Sequence, residues 1–328
     1  MPGDPLGGRS PALPAAGRTE GPLLARLARY QAERFPLAGF VPLIALFTFA
    51  SASFSRLSRG ASGGFAPAVL AVGIFTSLVC FFILRVLDEH KDADDDQRYR
   101  PELPVPRGLV TLRELRGVGA WLLAVVVVAN AIVMPKLLLP LAGVAVWATF
   151  MTLEFGVRHW LRAHMAAYLL THMAILPVID VYTTGLDWLS TGTHPPVGVL
   201  WFLGVTFANG VMIEIGRKLR VPDDERPGVD TYTCAWGLQR APLVWTLALA
   251  VSAALSMVAC RHAGWSSLGA WWFAALALVA ALPAMVFVLR PQRGLSKAVD
   301  AISQAWPAVT YLLLGVWPLL RPLLGGRP

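Results

Sequence analysis

The chain has 328 residues, of which 56% are hydrophobic and only 15% charged, with a mean hydropathy of +0.58. Soluble domains carry about a quarter charged residues, so the composition argues against a water-soluble fold. The formal charge of +8 does not point to nucleic acid as a partner. The basic residues sit between long apolar runs and mostly on alternate loops, which is how membrane orientation is encoded.

Taken in chain order, the first 34 residues are rich in Pro, Gly, Ala and Arg and lack the compact apolar core of a secretory signal. They are expected to form a mostly disordered cytoplasmic tail, with Leu23 to Arg34 as an interfacial helix. Residues 35–328 read as one transmembrane domain. Spans are predicted over 35–57, 65–87, 117–134, 137–158, 163–185, 197–215, 241–262, 268–290 and 299–320. Pro42, Pro177, Pro283 and Pro307 fall inside them, which bundled membrane helices tolerate. The weakest boundary is Pro135-Lys136, and without it the count is eight.

With the N-terminus inside, 22 of the 28 Lys and Arg residues fall on the cytoplasmic side. This distribution favours that orientation and an odd number of spans. The expected location is an integral protein of a bacterial inner membrane. Cys80, Cys234 and Cys260 show neither metal-ligand spacing nor a disulfide framework, and read as reduced packing residues.

Two hydrophilic segments, about 88–116 and 216–240, follow the second and sixth spans and hold most of the acidic residues. In the first, Asp88, Asp92 and Asp96 recur every four residues and line one face if the helix continues past the membrane edge. Like charges at that spacing repel unless cations lie among them. Mg2+ suits the site, because it binds a few carboxylates together with substrate phosphate oxygens. The bland alternative is a solvated charge run at a membrane boundary, against which the periodicity and the second acidic segment weigh.

Arg85, Lys91, Arg98, Arg100 and Arg107 lie among these acids and suit the free oxygens of a diphosphate, although each also fits a topological role. Arg85 stands out as one helical turn before Asp88. At the exit of the sixth span Glu214, Arg217 and Lys218 share a face. Either Glu214 is a metal ligand and Lys218 a diphosphate contact, or the three form a local ion pair.

The run Asp88-Glu89-x-x-Asp92-x-x-x-Asp96, followed by Pro101 to Gly108, resembles the N-D-x-x-D-x-x-x-D and R-P-x-x-x-G motifs of the UbiA superfamily of intramembrane prenyltransferases. Asp92 and Asp96 match outright. Glu89 stands in the first Asp's place and Asp88 in the Asn's, while Leu103 replaces the Arg of the turn, so that a phosphate contact is either lost or moved to Arg107. In the second segment Asp224, Gly228 and Thr231 fit the family's D-x-x-x-G-x-x-T, but the Asp four residues earlier is Arg220. Asp223, Glu225 or Glu214 would have to supply the missing carboxylate.

The resemblance implies an all-α bundle of about nine transmembrane helices around a lipid-accessible cavity roofed by the two acidic segments. It implies Mg2+ held by Asp88, Glu89, Asp92, Asp96, Glu214, Asp223 and Asp224, with Asp92, Asp96 and Asp224 central to catalysis. Arg85, Lys91, Arg107, Arg217 and Lys218 would contact the diphosphate of a polyprenyl donor. A small aromatic or lipid-soluble acceptor would receive the prenyl group, within membrane lipid. A terpene cyclase on the same fold would use the same metals without an acceptor. A CDP-alcohol phosphotransferase lacks support, since D-G-x-x-A-R is absent. A transporter would place its charges at the midplane rather than the membrane edge, and a non-catalytic binding protein of the same fold is a further alternative.

Within the spans, Glu154 and Arg158 read as an ion pair. His164 and His172, two turns apart, either face the cavity or are satisfied by a neighbouring helix. Asp180 and Asp187 fall at the far end from the chemistry and read as structural. Trp271, Trp272, Trp306 and Trp317 read as interfacial or packing aromatics.

Overall fold

The computed structural model describes residues 21–321, so the expected disorder of residues 1–20 lies outside it. The amphipathic helix α1 (Leu23–Arg34) leads into α2 (Leu37–Ser58) and α3 (Pro67–Lys91). A short α4 (Ala93–Tyr99) then carries the rest of the acidic run. Next come α5 (Leu112–Val133), α6 (Leu138–Thr152), α7 (Arg158–Ala163), α8 (Met165–Met173) and α9 (Ile175–Trp188). The last third holds α10 (Val197–Arg217), α11 (Tyr232–Trp236), α12 (Arg240–His262), α13 (Ser267–Leu289), α14 (Arg293–Tyr311) and α15 (Trp317–Leu320). Among the described residues there is no strand.

Eight helices are long and apolar enough to cross a membrane, with α8 and α9 acting as one span. The ninth expected span is helical throughout. It runs from α14 through a π-helical turn, Leu312–Val316, into α15, but Arg293, Lys297 and Asp300 make its first half polar. The break at Pro135-Lys136 is real. Met134 is extended (φ −157°, ψ 86°) and a 3-10 turn over Pro135–Leu137 separates α5 from α6. Thr111 starts α5 with a capping box, accepting from the Glu114 amide while the Glu114 carboxylate takes the Thr111 N–H, so two of the helix's orphan donors are satisfied.

The helices form two linked groups. In one, α2 packs on α3 and α9, α3 on α5, and α9 on α6. In the other, α12 lies between α10 and α13, and α14 closes against α10, α13 and α2. The bridge is α10, whose apolar window is 67% buried against 11% for the peripheral α5. The outer surface is hydrocarbon-facing, with Leu139, Leu268, Leu278 and Leu289 all strongly exposed.

Lipid tails are as apolar as leucine, so burial of apolar area does little to hold membrane helices together; close backbone approach and interhelical hydrogen bonds do more. Both occur here. Tyr182 donates to Asn130 (2.8 Å), whose amide donates to Thr76 (2.8 Å), tying α9, α5 and α3. Asn209 donates to Thr310 and accepts from Ser252, which itself accepts from Trp306. Ser51 donates to Asp180 at 2.7 Å. At one end of the bundle the fully buried Asp187 is held by Arg56 at 3.2 Å, Arg59 at 2.7 Å and the Ser55 hydroxyl at 2.9 Å. Asp180 and Asp187 therefore hold helices together. The opposite end gathers α1, α4, α11 and both acidic segments.

The closest backbone approach is at Gly315, in the π turn, where a Cβ would overlap the backbone of Ala50 on α2. Gly315→Val is expected to force α2 and α14 apart, at a cost of about 3 kcal/mol. A lower melting temperature in detergent would report it, and an unchanged melt would contradict the close approach.

Candidate active site

The first acidic run leaves the bundle at the end of α3. Helical hydrogen bonding persists across the kink at Asp92, whose N–H donates to the Asp88 carbonyl (2.9 Å) while the Asp96 N–H donates to the Asp92 carbonyl (2.8 Å). The three aspartates stay in helical register, but the kink and α1 give them different surroundings. Asp88 keeps 48% of its side chain open, with Arg85 a distant 3.9 Å away. Asp92 makes no ion pair within 4 Å among the described residues. Asp96 is buried and pairs with Arg100 at 2.6 Å. Burial nevertheless holds its carboxyl above the usual carboxylate range.

Glu89 turns the other way. Its side chain is 1% exposed, 2.6 Å from Arg34, and its carboxylate also accepts from the Tyr30 hydroxyl at 3.5 Å. Both partners lie on α1, which is latched over this segment by two further pairs, Arg26–Glu114 at 2.5 Å and Arg107–Glu33 at 2.6 Å. The Arg107 guanidinium holds the Glu33 carboxyl below its ordinary range. Arg107 thus reaches α1, and Glu89 and Asp96 are neutralised beneath α1 or beside Arg100.

Across the site, Glu214 at the end of α10 is buried and gripped by Arg217 (2.5 Å) and Lys218 (3.0 Å). The three side chains thus form the local ion pair that is one of the two sequence readings. Arg217 is close enough to Asp88 for their charges to interact. Lys91 donates to the Tyr168 hydroxyl at 2.5 Å and lies 5.1 Å above its ring. The Tyr168 ring stacks on His172 with centroids 3.8 Å apart. Lys218 lies 5.9 Å from the Tyr232 ring centroid. Two aromatic faces therefore already stand beside positive charge.

In the second acidic segment two of the acids have partners within the fold. Asp224 pairs with Arg293 of α14 at 2.6 Å, and Asp223 is exposed. Glu225 accepts from the hydroxyls of Thr231 (2.7 Å) and Thr233 (2.9 Å). Thr231 also caps α11 by accepting from the Cys234 amide, and Arg220 is held by its backbone N–H donating to Thr233. Gly228 joins the two segments. At φ +72° it occupies the left-handed region, and a Cβ would strike the Tyr99 ring of α4, so only glycine fits.

Among the described residues, no three or more His, Cys, Asp or Glu side chains converge as a complete metal cage. What the structure provides is two carboxylates, Asp88 and Asp92, not consumed by short ion pairs, beside Lys91, Arg217 and Arg85. Glu89, Asp96, Glu214 and Asp224 each have an Arg at 2.5–2.6 Å. That donor set fits Mg2+, which characteristically takes one or two carboxylates and completes its shell with phosphate oxygens and water. Sequence reasoning did not find Tyr30, Arg34, Tyr168, Tyr232 or Arg293. The available signal was Tyr30 and Arg34 at i, i+4 on an amphipathic helix.

No protein-family profile matches the chain, and no curated protein matches it in sequence. Solved structures match it in fold. A digeranylgeranylglyceryl phosphate synthase superimposes with a TM-score of 0.61 at 12% identity, over 90% of this chain and 99% of that one. A UbiA homolog from Archaeoglobus fulgidus, bound to DMAPP and Mg2+, superimposes with a TM-score of 0.51 at 13% identity, over 84% and 98%. Its complex with GPP and Mg2+ gives 0.51 at 12% identity, over 88% and 100%. The protein is an all-helical membrane protein with the UbiA fold.

Arg34→Ala is expected to leave the buried Glu89 carboxylate without its cation, destabilising the protein by about 3 kcal/mol and lowering its melting temperature in detergent. Unchanged stability would show that Glu89 does not depend on α1.

Proposed function

We propose that the protein is a Mg2+-dependent intramembrane prenyltransferase that takes a prenyl group from a polyprenyl diphosphate and passes it to a lipid-soluble acceptor. The observation that carries this reading is the sorting of carboxylates. At the end of α3, where Glu89 and Asp96 are ion-paired, Asp88 and Asp92 have no short ion pair, and they lie beside the cations Lys91, Arg85 and Arg217. The UbiA fold, and the Mg2+ and prenyl diphosphates bound by the Archaeoglobus homolog, support it.

Asp88 and Asp92 would hold Mg2+, which when bound neutralises the diphosphate and lowers the barrier to its departure. Glu89 and Asp96, gripped by Arg34 and Arg100, fix the α3–α4 junction in place. Arg85, Lys91 and Arg217 would bind free diphosphate oxygens by charge-assisted hydrogen bonds. Glu214 orients Arg217 and Lys218 as it neutralises them. The Tyr168 and Tyr232 faces stabilise positive charge developing on the prenyl group once water is excluded. No covalent enzyme nucleophile is needed. The end bearing α1 and the acidic segments faces the cytoplasm, an orientation supported by the Lys and Arg distribution.

The test is diphosphate release from labelled geranyl, farnesyl and geranylgeranyl diphosphates by purified protein in a membrane extract that supplies acceptors. Release should require Mg2+ and stop on addition of EDTA. Asp88→Asn and Asp92→Asn should each lower it at least 100-fold, about 3 kcal/mol of barrier, with unchanged melting. Metal-independent release, or full activity in either variant, would refute the assignment; product analysis separates transfer from cyclisation.

Tyr168→Leu is expected to lower the turnover number about tenfold with little change in donor KM, since the ring acts on developing charge. A rise in KM alone would make the ring a binding surface instead.

A further inference from the structure

The six acids buried among the described residues follow one rule, with one exception. Glu89, Asp96, Asp187 and Glu214 have the arginine or lysine partners given above. Glu154, set by left-handed backbone at Glu154 and Phe155 (φ 48° and 54°), has Arg158 at 3.3 Å. Asp180 has no such partner. It is 0% exposed within α9, and its side-chain partners among the described residues are hydroxyls alone. The bond from Ser51 explains how Asp180 ties α2 to α9, but it supplies no charge. An uncompensated carboxylate is costly in a bundle surrounded by hydrocarbon.

The surroundings of this carboxylate are lopsided. Its Oδ1 accepts from the Ser51 hydroxyl at 2.7 Å and from the Thr183 hydroxyl at 3.0 Å. Ser51 also lies 2.8 Å from the Phe47 carbonyl, so the contact with Asp180 is the shorter one. Two donors converging on one oxygen suit an ionised acceptor.

Oδ2, by contrast, is buried and has no hydrogen-bond partner among the described residues. Thr206 of α10 stands beside the carboxylate without the geometry of a hydrogen bond, and its own Oγ1 is buried and unpaired. So is the Oγ1 of Thr48, one helical turn before Ser51 on α2. Buried polar atoms are rarely left this way. Here three of them come from α2, α9 and α10, which pack on one another.

The donor set defines the ligand. One carboxylate and neutral hydroxyls are hard oxygen donors, unsuited to ions that prefer sulfur or nitrogen. A monovalent cation balances the single negative charge, whereas a divalent one would leave net charge inside the bundle. Ser51, Thr183 and Thr206 are each 0% exposed, so a tightly enclosed position favours the smaller of the common monovalent ions.

We propose that Asp180 and Thr206, with Thr48, bind a sodium ion where α2, α9 and α10 meet. The ion takes the place that a basic side chain takes beside the other buried acids. It neutralises Asp180 and joins three helices, so sodium stabilises the bundle. The site is separate from Asp88 and Asp92, lying about 10 Å along α9 from Asp187 at the opposite end.

The test uses the full chain in phosphatidylcholine nanodiscs, with melting temperature and radioactive sodium binding measured in NaCl, KCl and choline chloride at one ionic strength. Wild type should bind one sodium per chain and melt about 5 °C higher in saturating NaCl than in choline chloride. KCl should need at least tenfold higher concentration for the same effect. Asp180→Asn should melt alike in all three salts, and Thr206→Val should need at least tenfold more sodium. The Asp88→Asn/Asp92→Asn variant should respond as wild type does.

Equal melting of wild type in NaCl and choline chloride, with no sodium bound, overturns the site and leaves Asp180 carrying a proton. An equal response to KCl overturns sodium as the ion. A sodium response that survives in Asp180→Asn, or is lost in the Asp88→Asn/Asp92→Asn variant, places the ion elsewhere and overturns the assignment. If Asp180→Asn does not fold, Thr206→Val decides, and an unchanged sodium requirement there overturns the site.

Discussion

A carboxylate at the edge of a bilayer is expensive unless something neutralises it, and that constraint organises the chemical end of this protein. Taking a charged group out of water costs several kcal/mol even after relaxation. The chain answers with a cation for its buried or half-buried acids here: Arg34 for Glu89, Arg100 for Asp96, Arg217 and Lys218 for Glu214, Arg293 for Asp224. The same rule governs the far end, where Arg56 and Arg59 close on Asp187. Against this background an acid without a short ion pair is informative, and Asp88 and Asp92 are two such acids side by side. Their position at the mouth of a helical bundle, with Lys91 and Arg217 nearby, suits a divalent ion arriving with a phosphorylated substrate.

The architecture around them serves the same end. Because lipid gives no hydrophobic drive for helix association, the bundle depends on close approach at points such as Gly315 and on hydrogen bonds such as Tyr182–Asn130–Thr76. These hold α3 and α10 so that their ends face one another, while α1 is strapped across the outside by three arginine–glutamate pairs. Gly228 against Tyr99 then docks the second acidic segment on the first.

The spans were legible because hydropathy, length and breakers act locally. The Pro135-Lys136 boundary, weak as a pattern, proved a true break because Pro135 opens a 3-10 turn after an extended Met134. The spacing of Asp88, Asp92 and Asp96 was also legible, but not their unequal burial. That depends on α1, some sixty residues earlier in the chain, covering one side of the helix. Nothing local to Glu89 announces Arg34, and nothing local to Asp224 announces Arg293. Gly228 and Thr231 stand where the family pattern puts them, and here they have structural reasons: one admits Tyr99, the other caps α11. The left-handed turn at Glu154 and Phe155 left no trace in the sequence, since neither residue type favours it.

The account's central claim is that ion pairing separates metal-binding acids from structural ones. It is tested most directly by titrating Mn2+, as a paramagnetic stand-in for Mg2+, into the purified protein with a non-reactive prenyl thiodiphosphate, followed by electron paramagnetic resonance. Wild type and Glu89→Gln are expected to hold the ion with similar affinity, and the Asp88→Asn/Asp92→Asn double variant to lose it. Binding that survives in the double variant, or that disappears in a folded Glu89→Gln, would contradict the claim.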